Sequence, residues 1–375
     1  MGGRYFQRTW RRNAAWKTPL SSGIPSQRTT MNQRKRTGLS LYSELDLKDT
    51  GVQMDKLSRR KLLQVAVGIV GSTMVASKGM AAQTQNKSAS VARVPQKPHP
   101  GYIDAHVHVW TSDTKKYPLA PGYRREQMQP PNFPPEELLS HAQPCGVSRI
   151  VLIQMSYYGY DNSYMLDTMG RFPGVFSGVA VIDETARPRD VMRRLARQGV
   201  RGFRISPKGT PLDRWLDTPG MAEMWRCGSE ENLSMCCLID PEAIQAVDRM
   251  CERFPKTPVV IDHIARIKAD SKNRDKEVKE LCNLARHKLT TVKVSAYYAL
   301  SKEQPLYHDL APMIRRLLEA YGPERLMWAT DCPFQVENGH TYLDSIALIR
   351  DRLDFLSDSD RQWLLRKTAE RVFFS

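Results

Sequence analysis

"YIDAHVHVW", residues 102–110, alternates apolar and polar side chains and carries two histidines two positions apart. Alternation over that length reads as a β-strand. Successive strand side chains point to opposite faces, so His106 and His108 point the same way. Two imidazoles on one face invite a shared partner. The candidate is Asp331, which ends another apolar stretch, "RLMWATD" (residues 325–331).

Between those stretches lie "SRIVLIQMS", "VFSGVAVID", "GVRGFRIS", "LSMCCLID", "TPVVIDHI" and "TTVKVSA", each strand-like. Helical stretches such as "PEELLSHAQPCG", "PRDVMRRLARQG", "PEAIQAVDRMCERF" and "APMIRRLLEAYG" separate them, with Pro or acidic residues in the first turn or a breaker at the end. Strand and helix in regular alternation predict a parallel sheet with crossover helices. Eight such units in roughly 270 residues match an α/β fold of the TIM-type (β/α)₈ barrel, whose chemistry gathers at the C-terminal ends of the strands. His106 and His108 then come from the first strand, His263 from the end of the sixth and Asp331 from the end of the eighth. These four converge on one pocket in this reading. Asp104 and Asp262 are assigned to the barrel wall or a neighbouring shell.

The formal charge is +16, which raises the question of an acidic partner. Residues 1–53 carry +7 and residues 54–81 carry +4, leaving +5 spread over residues 82–375 without a basic run. That distribution argues against nucleic acid. The seven cysteines are odd in number and form no CxxC pair, so the reading is of reduced thiols, with Cys236 and Cys237 buried in an apolar strand.

In front of the barrel, "SRRKLLQVAVGIVGSTMVASKGMAA" pairs Arg59–Arg60 with an apolar run from Leu62 to Ala76 and small residues near Gly79 and Ala81. The run is too short for a comfortable membrane span, and residues 54–81 resemble a twin-arginine export signal. Such a signal implies the twin-arginine machinery as a partner, cleavage leaving no membrane span, and a periplasmic or otherwise extracytoplasmic location. Residues 1–53 read as a disordered extension, with Met54 an alternative translation start, and residues 82–100 as a linker.

"IDAHVHVW", "LIQMSYYGYDNSYMLD", "GVRGFRIS", "VVIDH", "VKVSA", "ATDCPF" and "LLRKTAERVF" occur in the order found in the amidohydrolase-related (amidohydrolase 2) branch of the amidohydrolase superfamily. Residues 101–375 resemble the subgroup of sugar lactonases and 2-pyrone-4,6-dicarboxylate lactonase. The resemblance implies hydrolysis of a lactone or related cyclic ester. Strand four lacks the lysine, and strand five the histidine, of the family's two-metal centres. What remains is at most one divalent ion, zinc or manganese, on His106, His108 and Asp331, with His263 a further ligand or proton carrier. A metal-independent version keeps Asp331 as base and uses the three histidines to polarise the carbonyl.

A carboxylated or polyhydroxylated small molecule is the expected substrate. Arg204 and Arg266 are candidate grips for a carboxylate, and Gln154, Ser156, Tyr297 and Tyr298 offer amide or hydroxyl contacts. The long segment at residues 111–135 is a candidate cover for the pocket. The rival readings are a metal-dependent, non-oxidative decarboxylase of an aromatic or enoic acid, and a non-catalytic exported binding protein.

Overall fold

In the computed structural model, β1 (Tyr102–Val107) is followed by β2 (Val147–Ile153), β3 (Phe176–Ala180), β4 (Val200–Ile205), β5 (Ser234–Cys237), β6 (Val259–Ile261), β7 (Thr290–Val294) and β8 (Leu326–Trp328). The residues described are 100–375 apart from Lys208 and Gln304; the expected extension, export signal and linker up to residue 99 lie outside them. The strands pair in parallel in sequence order. The ring closes where β1 meets the segment after β8: Asp331 N donates to His106 O at 2.9 Å and His108 N to Cys332 O at 2.9 Å. The expected TIM-type (β/α)₈ barrel is the observed fold.

Local chemistry explains the elements. Helix Pro219–Glu231 starts with Thr218 accepting a hydrogen bond from Met221 N and with Pro at its first position, both favourable N-terminal features. The turn into β2 passes through Gly146 at φ 82°, a left-handed position that glycine adopts without a Cβ clash. Two apolar layers follow from strand alternation. Ile103, Ala105, Val151, Val179, Val260 and Met327 fill the barrel and pack on Ala369 and Phe373 of the closing helix. Ile150, Leu152, Phe203, Val292 and Trp328 face outward among the helices. Both Cys236 and Cys237 are buried, and the cysteines are free.

β1 departs from simple alternation. Asp104 sits opposite Ile150 and Val107 opposite Leu152, so β1 spends one residue more than β2 over that interval, a bulge. The extra residue lets Asp104 face outward while His106 and His108 both face the barrel mouth. Asp104 ties the seam from behind. Its Oδ1 accepts from His106 N and Thr330 N, both at 3.0 Å, and its Oδ2 from Thr330 Oγ1 and Tyr342 OH. Burial, opposed by those donors, lifts its pKa to about 6. The reading of Asp104 as barrel support agrees with this geometry.

The segment expected to cover the pocket is anchored to one flank. Trp110 and Phe133 form a two-stranded bridge, Trp110 Nε1 donates to Pro130 O at 2.8 Å, and Ala120 N donates to Tyr157 O at 2.8 Å. Tyr117, Met128 and Phe133 are buried there.

Replacing Asp104 by Ala strands four donors in a fully buried place, at a cost of about 1 kcal/mol or more for each unpaired group. Asp104→Ala is therefore expected to lose about 4 kcal/mol or more in urea denaturation, with Asp104→Asn losing less because it retains an acceptor. Equal stability of the Ala variant and the parent would contradict the clamp.

Candidate active site

The expected four residues do meet. Asp331 Oδ1 lies 3.3 Å from His108 Nε2, 3.5 Å from His106 Nε2 and 3.8 Å from His263 Nε2. Asp331 Oδ2 accepts a 2.6 Å hydrogen bond from Tyr298 OH. The group is buried, with side-chain exposure of 4% for Asp331 and 13% for Arg204, the most open member.

Backbone strain aims two of these groups. β6 ends at Ile261, and His263, Ile264, Ala265 and Arg266 follow with φ between 51° and 56°. This is a left-handed turn without glycine, each such residue costing roughly 1–2 kcal/mol. Ile264 and Ala265 are fully buried within it, so packing offsets part of the cost. The turn directs His263 into the cluster. Asp331 is held at φ 69° immediately after β8.

The far side of each ring decides what faces the centre. His108 Nδ1 lies 2.9 Å from Ile153 O, which only accepts, so Nδ1 carries a hydrogen and Nε2 is the ring atom turned to Asp331 Oδ1. His263 Nδ1 is 2.9 Å from Ser295 Oγ, whose hydroxyl donates to Lys293 O. That leaves Nε2 of His263 as the acceptor. Arg204 Nη2 lies 2.7 Å from His106 Nε2; a guanidinium only donates, so His106 also presents a lone pair and its Nδ1–H faces Asp262 Oδ1 at 3.4 Å.

Behind His106 stands a charge pair that the sequence reading did not find. Lys293, on β7 and fully buried, lies 3.1 Å from Asp262 Oδ1 and 3.3 Å from His106 Nδ1. Asp262 Oδ2 also receives Arg204 Nη2 at 3.3 Å. Burial would raise the Asp262 carboxyl, but Lys293, His106 and Arg204 outweigh it and hold it well below its ordinary value. Burial, with Lys293 next, holds His106 well below its usual range. For Asp331 burial again opposes, yet the surrounding histidines pull the carboxyl far down. Burial lowers His263 to about 4.

The other candidates separate. Arg266 is tied to Asp240 at 2.8 Å and to Ile239 O at 3.3 Å, close enough to feel the Arg204 charge. Gln154 donates to Asp161 O, and Ser156 bonds Tyr123; both lie on the loop after β2. Tyr297 does not join the site. It is fully buried, its hydroxyl donates to Val294 O at 3.0 Å and its ring packs beside Tyr307. A helical turn starts at Tyr297 and sends neighbouring side chains in different directions, so only Tyr298 reaches Asp331. A cavity of about 390 Å³, lined by residues such as Arg193, Arg197, Arg201 and Ser375, shares no residue with the cluster.

The donor set fits one divalent ion. His106, His108 and Asp331 bring their ligand atoms within 4.8 Å of one another, the Nδ1 sides are fixed by second partners as metal-binding histidines usually are, and three nitrogen or oxygen ligands leave room for water.

The buried histidines also fix a pH response. Unfolded His263 binds a proton near pH 6.5, whereas the folded residue resists until about 4. The unfolded chain thus takes up the proton first, and stability falls as pH drops through that window. Asp104, raised rather than lowered, works in the opposite direction between its ordinary 3.8 and about 6, so a variant comparison is needed. His263→Gln should lose less stability than the parent between pH 6.5 and 4, by roughly 3 kcal/mol, in denaturant titrations at each pH. Parallel curves would refute the assignment.

The amidohydrolase family model matches residues 103–374. The 4-sulfomuconolactone hydrolase of Hydrogenophaga intermedia is 30% identical over 285 residues, spanning 73% of this chain and 89% of that protein. The L-fucono-1,5-lactonase of Burkholderia ambifaria is 26% identical over 243 residues, spanning 64% and 82%. A solved structure described as a candidate 2-pyrone-4,6-dicarboxylic acid hydrolase from Pseudomonas putida superposes with a TM-score of 0.63 at 26% identity, covering 74% of this chain and 98% of its own. A barrel with this cluster at its mouth and a family match over nearly all of its length together identify the chain as a member of the amidohydrolase family.

Proposed function

We propose that the chain hydrolyses a lactone, with Asp331 as the base that takes a proton from the attacking water. The observation that carries this reading is the division of labour on one carboxylate. Oδ2 is held by Tyr298 at 2.6 Å, while Oδ1 faces the Nε2 atoms of the three imidazoles and is the oxygen left to receive a proton. The lowered Asp331 pKa keeps that base ionised at neutral pH. A bound divalent ion, zinc or manganese, would lower the pKa of a ligated water toward about 7 and supply hydroxide. His106, His108 and Asp331 would hold it, with His263 alongside.

The remaining steps belong to the chain's own groups. Arg204 is the cation nearest the cluster and presents fixed positive charge to the oxyanion that forms when the ester carbonyl is attacked. Such preorganised charge is commonly the largest catalytic contribution. Arg204, at the edge of the cluster and its most open member, favours a substrate carrying a carboxylate or comparable anionic group. Lactone hydrolysis by two relatives with related sequences supports the same reaction class.

We also infer export by the twin-arginine route, supported by Arg59–Arg60 and the apolar run that follows. Replacing both arginines by lysine should retain the protein in the cytoplasm on cell fractionation. Unchanged extracytoplasmic recovery would rule the route out.

A panel of anionic and sugar lactones, followed by pH-stat, tests the activity. Asp331→Asn should lose at least about 100-fold in kcat on whichever substrate the parent opens. Retention of normal turnover by that variant, or inactivity of the folded parent across the panel, would overturn the proposal.

A further inference from the structure

Metal-ready rings and a resident guanidinium compete for the same atom. His106 is one of the three residues that could hold an ion and turns Nε2 to Asp331 Oδ1 at 3.5 Å, yet Arg204 Nη2 already sits 2.7 Å from that nitrogen. An ion and an N–H donor cannot share one lone pair. Arg204 is not a casual neighbour, because Asp262 Oδ2 holds the same Nη2 at 3.3 Å. Its charge also matters. Lys293 and Arg204 balance Asp262 and Asp331 within the cluster, so the site is near electrical neutrality before any ion enters. A divalent ion would arrive beside two fixed cations, an unfavourable addition in a buried place.

We propose that Arg204 is the residue that limits metal affinity in this chain, by capping His106 Nε2 and by supplying the positive charge that the ion would otherwise bring. His106 therefore contributes to metal binding only when Arg204 withdraws. His108 and Asp331 meet an ion without that competitor. The role concerns the ion alone and stands whether or not the substrate is a lactone.

The test is a binding cycle read by calorimetry with zinc(II) and by the visible absorption of cobalt(II), on protein stripped by chelator. Arg204→Met should bind zinc at least tenfold more tightly than the parent, since Asp262 keeps Lys293 as its partner at 3.1 Å and the cluster loses one positive charge. His106→Ala should weaken binding little in the parent and at least tenfold in the Arg204→Met background. That non-additivity separates direct capping from a general charge effect, which would leave the His106→Ala cost equal in both backgrounds. Arg204→Gln, shorter and uncharged, serves if the Met variant does not fold, with the same expectations. Unchanged or weaker zinc binding by the folded Arg204 variant would overturn the proposal, as would an equal cost of His106→Ala with and without Arg204.

Discussion

Everything at the mouth of this barrel depends on the seam between the first and last strands. There the backbone of Asp331 donates to the backbone of His106, and His108 donates to Cys332, each at 2.9 Å. The same two bonds close the ring of strands and set the carboxylate beside the imidazoles. Fold and chemistry therefore share one hinge of contacts, and Asp104 fastens it from the outer side by binding His106, Thr330 and Tyr342 together. Closing a barrel removes its edge strands; in this one it also builds the site.

A polar cluster inside a barrel is costly unless each charge finds a partner. Moving an ion from water to a protein interior costs several kcal/mol even after relaxation. Here Lys293 meets Asp262, Asp262 also meets Arg204, and Lys293 lies 5.2 Å from the ring centre of Phe373 beneath it. The closing helix is thus the floor of the cluster as well as a plug for the barrel. The ionic centre stands on the apolar layer formed by Ile103, Ala105, Val260 and Met327, which shields it from solvent at the opposite end.

Strain collects where the chemistry does. The turn His263–Arg266, Ala296 after β7 and Asp331 after β8 all take positive φ without glycine. Such positions persist only where surrounding packing enforces them, and Ile264, Ala265 and Ala296 are fully buried. The barrel spends part of its packing energy on pointing His263 and Asp331 at one spot, in a direction that relaxed strand ends would not give.

Much of this was legible in the amino-acid sequence. Eight apolar stretches separated by helical ones determine a parallel barrel, because strands covered on both faces leave few other arrangements. Once that ring exists, histidines on its first strand and an aspartate after its last are neighbours by topology. The rest needed the tertiary structure. The bulge in β1 that turns Asp104 away from His106 has no signature in an alternating pattern. Lys293 looks like any surface lysine, although a lone basic residue in a strand covered on both faces had nowhere to point but the barrel interior. Tyr297 and Tyr298 are adjacent and chemically alike, and only the start of a helical turn decides which one reaches Asp331. Which ring nitrogen of each imidazole faces Asp331 is set by Ile153, Ser295 and Arg204, residues distant in sequence. Periodicity is a local property written along the chain, whereas pairing, tautomer and charge balance exist only between segments that folding brings together.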